Sequence, residues 1–213
     1  MRLITRWQNS AGERVRIALR LKKIECEYVP VGTLAPGEYR RLNPQGLLPA
    51  LDIGGRIVAQ SSAILEYLEE TFPVPALLPA DPVTRAEARA FAAHITSEMH
   101  AITVRRVRRY LGTDLGVDED HVDRWVSHWL TEGFRALEIA LANRATDWPF
   151  CFGEAPGWAD LHLIPQIENG RRLGVDLMPF PRLLGVEERC NALEAFILSR
   201  PAAQPDYPGE RLP

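Results

Sequence analysis

Residues 43–68, NPQGLLPALDIGGRIVAQSSAILEYL, hold the groups best suited to gripping a small peptide. Leu48-Pro49 is an X-Pro bond of the kind that turns cis in tight turns. It leaves the Leu48 main chain able to pair with an extended ligand, with Gln45 just before it. Gln60-Ser61 then opens a helix, whose first amides and dipole favour a carboxylate. A plain capping role for Ser61 is the alternative. Residues 7–13, WQNSAGE, turn into another helix, where Asn9 and Ser10 could cap the helix, donate to an anion, or do both.

Two basic groups follow later in the chain. In residues 100–110, HAITVRRVRRY, a continuous helix would put His100, Val104 and Val107 on one face together with Leu111. Arg105 and Arg109 would then lie opposite, with Arg106 and Arg108 at the edges. Such charge suits a dicarboxylate, or simply a solvated helix face. Arg171-Arg172 near a helix C-terminus could bind a carboxylate or complement the dipole.

With 213 residues the chain has room for one large or two small domains. It contains no apolar run near the ~20 residues of a membrane span. The start, MRLITRWQ, lacks a signal-peptide core, so the cytoplasm is the expected location. A net charge of −3 argues against a general nucleic-acid binder. Cys26, Cys151 and Cys190 are odd in number and show no CxxC, so they read as ordinary thiols. A disulfide framework, a zinc site or thioredoxin-type redox chemistry is not expected.

Short apolar runs predict strands over residues 2–7, 27–31, 51–53 and 56–59, the last two around a Gly54-Gly55 turn. The strand over 27–31 is expected at an edge, because of Pro30. Helical periodicity covers 13–22, with Val15, Ile17, Ala18 and Leu21 on one face, and 61–71, with Ala63, Ile64, Tyr67 and Leu68 inward. A short helix over 36–42 completes a βαβαββα order. Residues 72–82, FPVPALLPADP, read as a linker. Everything beyond reads as helical. One long pattern over 83–111 has Asp81 as N-cap and Pro82 at the first position. Others cover 118–143, 158–173 and 183–198, and an extended tail runs over 200–213. The expectation is an α/β thioredoxin-like N-terminal domain over 1–72, a linker over 73–82 and an all-α C-terminal domain over 83–213.

In these motifs the chain resembles the zeta-class glutathione transferases, the family of maleylacetoacetate and maleylpyruvate isomerases. The matching pieces are RVRIAL at 14–19, LNPQGLLPAL at 42–51, QSSAILEYLEE at 60–70 and PALLPAD at 75–81. ADLHLIPQIENGRRLGVDL at 159–177 and RPAAQPDYP at 200–208 continue the match. The bacterial glutathione-dependent maleylpyruvate isomerases are the most similar members.

The resemblance implies glutathione transferase architecture and glutathione as cofactor. Gln45, Leu48, the cis-proline Pro49, Gln60, Ser61 and His100 would hold the tripeptide, with His100 and the basic residues after it lining a cleft between domains. The family's Ser-Ser-Cys-type motif falls on Asn9, Ser10 and Ala11, which makes Ser10 and Asn9 the catalytic candidates. Arg105, Arg106 and Arg172, with Arg171 next after it, would take a dicarboxylate substrate. Gln8 stands where some members have an arginine. The connection over 31–39 is shorter than usual in the class. The family's capping box falls on residues 157–160, GWAD, with Gly157 in place of the hydroxyl and Asp160 as its acid. The implied reaction is cis–trans isomerisation of a 4-oxo-cis-enoate by reversible addition of the glutathione thiolate. The implied assembly is a homodimer, with no metal. Transfer of glutathione to a small electrophile such as an α-haloacid is the alternative activity, and a non-catalytic glutathione- or protein-binding role a third.

Overall fold

Four short strands, β1 (Arg2–Thr5), β2 (Glu27–Pro30), β3 (Ala50–Ile53) and β4 (Arg56–Ala59), make one sheet in the computed structural model, which describes residues 1–209. The order is β2-β1-β3-β4, so β2 does lie at an edge and its proline leaves the inner ladder intact. β1 runs parallel to β2 and antiparallel to β3, and β3 runs antiparallel to β4. Gly54 and Gly55, with φ 61° and 92°, make the tight β3–β4 turn in a region that side-chain-bearing residues rarely adopt.

Helices α1 (Ser10–Leu21), α2 (Glu38–Leu42) and α3 (Ser61–Thr71) complete the βαβαββα order. Leu3, Ile4, Val29, Ala50 and Leu51 from the sheet, Val15, Ile17 and Ala18 from α1, and Ile64, Leu65 and Leu68 from α3 are all buried. The inward face of α3 differs from the expected one. Ala63 is exposed and Tyr67 half-buried, while Leu65 is fully buried. The reason is phase. Ser61 begins the helix and is itself buried, and positions 64, 65 and 68 follow it at helical spacing.

The chain forms two units: Met1–Leu77 together with the chain from Asn191 onward, and Leu78–Cys190. The division at Leu77–Leu78 falls inside the expected linker, and the chain after Cys190 groups with the first unit. Helix α10 (Glu194–Ile197) packs on α1, and Pro201–Ala203 forms a 3-10 turn. The interactions responsible are specific. Arg16 Nε donates to the Ser199 carbonyl at 2.9 Å. The Asp206 carboxylate accepts from the Trp7 N–H at 3.1 Å and from the Tyr28 hydroxyl at 2.7 Å. The Tyr207 and Trp7 rings meet edge-on, 5.1 Å between centroids. Covered from the tail as well as from the sheet, α1 buries Glu13, Arg14 and Arg16 beside its apolar residues. Residues 210–213 of the expected tail lie outside the described residues.

In the second unit α4 (Pro82–Ala93) starts as expected. The Asp81 carboxylate accepts from the Thr84 N–H at 2.8 Å, and Pro82 takes the first position. The single helix expected over 83–111 is interrupted. A π-helical stretch, His94–His100, leads into α5 (Ala101–Thr103), then Val104 is extended (ψ 155°), and α6 (Arg105–Arg109) begins anew before a second π-helical stretch, Tyr110–Asp114. The Ile102 carbonyl, which a continuous helix would need, instead accepts from Trp125 Nε1 at 3.0 Å. The break resets the phase, so His100 and the arginines beyond it do not share one helical wheel.

Helix α7 (Glu119–Ala142) buries Val122, Val126, Leu130, Phe134, Leu137 and Leu141. Helix α8 (Trp158–Arg172) is buried along most of its length, and α9 (Pro181–Asn191) follows. At the start of α8 the buried Asp160 carboxylate accepts from the Gly157 N–H at 2.8 Å and from the Cys151 N–H at 3.0 Å. Asp160→Ala therefore leaves two donors without their acceptor and should lower the unfolding free energy by about 2–4 kcal/mol in urea titration. Asp160→Asn, which keeps one acceptor oxygen, should cost about half of that. A loss below about 0.5 kcal/mol for the alanine variant would show that this cap does not hold the helix.

Candidate functional site

Strand register gathers the candidate site residues of the first unit. Ile4 lies opposite Ala50, and Ala50 lies opposite Ala59. The residues just before Ala50, just after β1 and just after β4 therefore emerge at one end of the sheet. These are Leu48-Pro49, the turn carrying Gln8, Asn9 and Ser10, and Gln60-Ser61. Leu48-Pro49 is cis, as the sequence suggested. The turn before it is fixed by the Leu47 carbonyl, which accepts from the Tyr39 hydroxyl at 2.6 Å and from Asn43 Nδ2 at 2.8 Å. Among the described residues no hydrogen bond engages the Leu48 main chain. That leaves it open to an extended ligand.

At the β1–α1 turn Asn9 is the N-cap, with its Oδ1 accepting the Gly12 N–H at 2.5 Å. With the oxygen so committed, the Asn9 Nδ2 is the group left to donate. Ser10 is the first residue of α1 and Ala11 is buried behind it. Gly12 permits the close approach, since a Cβ there would meet Thr5 Oγ1 at 2.2 Å and Asn9 Oδ1 at 2.7 Å. Arg16 Nη2 donates to the Trp7 carbonyl at 3.4 Å and ties the turn to the middle of α1. Gln8 is half-buried, and its carbonyl accepts from Arg6 Nε at 3.0 Å.

At the start of α3 the cap position belongs to Gln60, not to Ser61. Gln60 has φ 72° and makes no side-chain cap. Its Nε2 instead donates to Gln45 Oε1 at 2.6 Å, which joins two of the expected ligand-binding residues. Ser61 is buried, and its Oγ accepts from Arg14 Nη1 at 3.3 Å. In the sequence RVRIAL reads as a motif on a helical face, which does not disclose this partner. A charged residue inside a run of buried apolar ones was the available signal. Burial lowers the Arg14 pKa to about 10, partly offset by the neighbouring Glu13.

His100, Arg105, Arg106 and Arg172 belong to the second unit. His100 is half-buried at the end of the first π-helical stretch, and Arg105 and Arg106 are exposed on α6. Arg171 and Arg172 are distinguished by their partners. Arg171 is held bidentately by Glu187, with both contacts at 2.8 Å. Arg172, exposed at the end of α8, donates to the Asn169 side-chain oxygen.

The chain's own thiols are ill-placed as nucleophiles. Cys151 and Cys190 are buried, and burial pushes both thiols well up. Burial also raises half-buried Cys26. Thiolate chemistry at the β1–α1 turn would need a ligand's sulfur.

A family model described as the glutathione S-transferase N-terminal domain matches residues 10–71. Over 211 residues the chain is 43% identical to a maleylpyruvate isomerase of Ralstonia sp., covering 97% of this chain and 99% of that protein. A holo structure of maleyl pyruvate isomerase, described as a bacterial zeta-class glutathione S-transferase, superposes with TM-score 0.91 at 42% identity, over 97% of this chain and 99% of that one. A maleylacetoacetate isomerase of Methylobacterium extorquens AM1 with bound malonate and GSH superposes with TM-score 0.91 at 35% identity, over 98% and 100% of the two chains.

The cap at Asn9 gives a direct check on the turn. Asn9→Ala should lower stability by about 1 kcal/mol in urea titration, and Asn9→Ser should recover most of it. No loss in the alanine variant would mean that the Asn9 side chain does not organise the start of α1.

Proposed function

We propose a function from one premise: the chain belongs to the zeta class of the glutathione transferases. It catalyses the glutathione-dependent cis–trans isomerisation of a 4-oxo-cis-enoate dicarboxylate, maleylpyruvate or maleylacetoacetate, as a homodimer in the cytoplasm. The carrying observation is the shared end of the sheet, where the open Leu48 main chain, the capped start of α1 and Ser61 above a buried cation emerge together. The bound malonate and GSH of the Methylobacterium enzyme support this choice of ligands, since malonate is itself a small dicarboxylate.

Bound glutathione supplies a thiol whose anion adds reversibly to the conjugated double bond and so frees that bond to rotate. The chain's residues bind and bias. The Leu48 N–H and C=O pair with the cysteinyl main chain beside Pro49. Gln45, Gln60 and Ser61 hold the γ-glutamyl end. The Ser10 hydroxyl and the Asn9 amide donate toward the sulfur at the start of α1. Shifting a thiol from its usual pKa near 8.5 to about 7 requires about 2 kcal/mol of preference for the anion. A helix start gives about 0.3–1 kcal/mol and one hydrogen bond to a charged acceptor about 1.5–3. One donor plus the helix start therefore suffices, although Asn9 stands where the family has its first serine. The family resemblance assigns His100 to the tripeptide as well. Arg172, with Arg105 or Arg106, takes the substrate carboxylates, and Gln8 offers an amide donor in place of an arginine. Arg171, committed to Glu187, is a structural residue.

Purified protein should isomerise maleylpyruvate or maleylacetoacetate only when glutathione is present, without consuming it. Ser10→Ala should lower kcat/KM about 10- to 150-fold, the equivalent of one charge-assisted hydrogen bond, with the KM for glutathione nearly unchanged. Arg172→Ala should raise the KM for substrate, and Arg171→Ala should lower thermal stability instead. The replacements at Asn9 and Gln8 favour a second reading, transfer of glutathione to an α-haloacid. Conjugate formation with such an acid and no isomerisation of either diketo acid would select it.

A further inference from the structure

We propose that Arg14 is a positioning residue for the free α-carboxylate of the γ-glutamyl group, a buried cation that acts through the Ser61 hydroxyl to make the start of α3 selective for an anion. This rests on the reading of that helix start as the seat of glutathione's acidic end.

Arg14 is 1% exposed and Ser61 6%. Arg14 Nη1 donates to Ser61 Oγ, while its Nε and Nη2, also buried, have no hydrogen-bond partner among the described residues. A guanidinium carries five donors, and leaving buried donors unused is costly. A cation is kept in such a place most readily when an anion arrives to compensate it. The neighbouring Glu13 partly offsets the burial of Arg14 but does not bond to those two nitrogens.

The geometry says where the compensating anion sits. The Ser61 oxygen already accepts from Arg14, so its hydroxyl proton turns away from the guanidinium and toward whatever lies above the helix start. That start is open. Gln60, the N-cap, spends its side chain on Gln45 and leaves the first amides of the 11-residue α3 without a side-chain acceptor. A carboxylate there would receive the Ser61 proton and the helix amides, with the Arg14 charge directly behind the hydroxyl. In a site of low dielectric that charge acts strongly across one intervening group. A helix start and hydroxyl alone would favour a carboxylate over a neutral amide by less than about fivefold.

The test compares reduced glutathione with its analogue bearing a carboxamide in place of the γ-glutamyl α-carboxylate, both titrated calorimetrically into the full-length protein. The wild type should prefer glutathione by about 30-fold or more, whereas a helix start without the cation accounts for less than about fivefold. Arg14→Met should weaken glutathione binding about tenfold or more and leave the carboxamide affinity within about twofold, and Arg14→Lys should recover part of the loss. Discrimination below about fivefold in the wild type, or an equal weakening of both ligands by Arg14→Met, would overturn the proposal. The wild-type comparison decides the matter even where Arg14→Met does not fold. Binding of neither ligand by the wild type would overturn the glutathione reading and the proposal with it. Binding of both without preference would overturn the proposal alone.

Discussion

The antiparallel register of β1, β3 and β4 is the constraint on which the candidate site depends. Because Ile4 faces Ala50 and Ala50 faces Ala59, the cis-proline turn and two helix starts leave the sheet at the same end. A slip of one residue would turn every buried side chain of a strand to the opposite face. Leu3, Ile4, Ala50 and Leu51 are all nearly inaccessible, so the core that stabilises the sheet also fixes the relative placement of Leu48, Asn9 and Ser61. Function is thereby attached to the most strongly specified part of the first unit.

A second constraint is charge taken out of water. Helix α1 carries Arg14 and Arg16 in buried positions, and the two are handled differently. Arg16 is satisfied by carbonyls, those of Ser199 from the tail and of Arg6 and Trp7 from the turn, so it fastens the end of the described chain to the turn that carries Asn9 and Ser10. Arg14 has one hydroxyl partner and two unused nitrogens, and it points at the mouth of α3. One guanidinium closes structure and the other keeps two of its nitrogens uncommitted. The distinction follows from what each guanidinium touches rather than from its depth.

Much of this was legible in the sequence. The βαβαββα order, the Gly54-Gly55 turn, the Asp81-Pro82 helix start and the cis bond at Pro49 were all signalled by residues whose conformational preferences are local. What the sequence did not reveal depended on partners far along the chain. The tail, with its many prolines, reads as extended, but Ser199 and Asp206 accept from Arg16, Trp7 and Tyr28, and Tyr207 meets the Trp7 ring, contacts that no periodicity discloses. The basic stretch after His100 fits an unbroken helix, but Trp125 takes the Ile102 carbonyl and the helix restarts after Val104. Only the resemblance ranks Arg172 ahead of Arg171 in the sequence, and in the fold Glu187 engages Arg171 bidentately.

The central claim is that the β1–α1 turn holds glutathione's sulfur as an anion, with a hydroxyl and an amide where the family carries two hydroxyls and a thiol. The most direct measurement is the ultraviolet absorbance of the thiolate in the protein–glutathione complex, followed as a function of pH. The account predicts an apparent pKa of about 7, well below the roughly 8.5 of a free thiol. A bound thiol that titrates at or above that free value would contradict it.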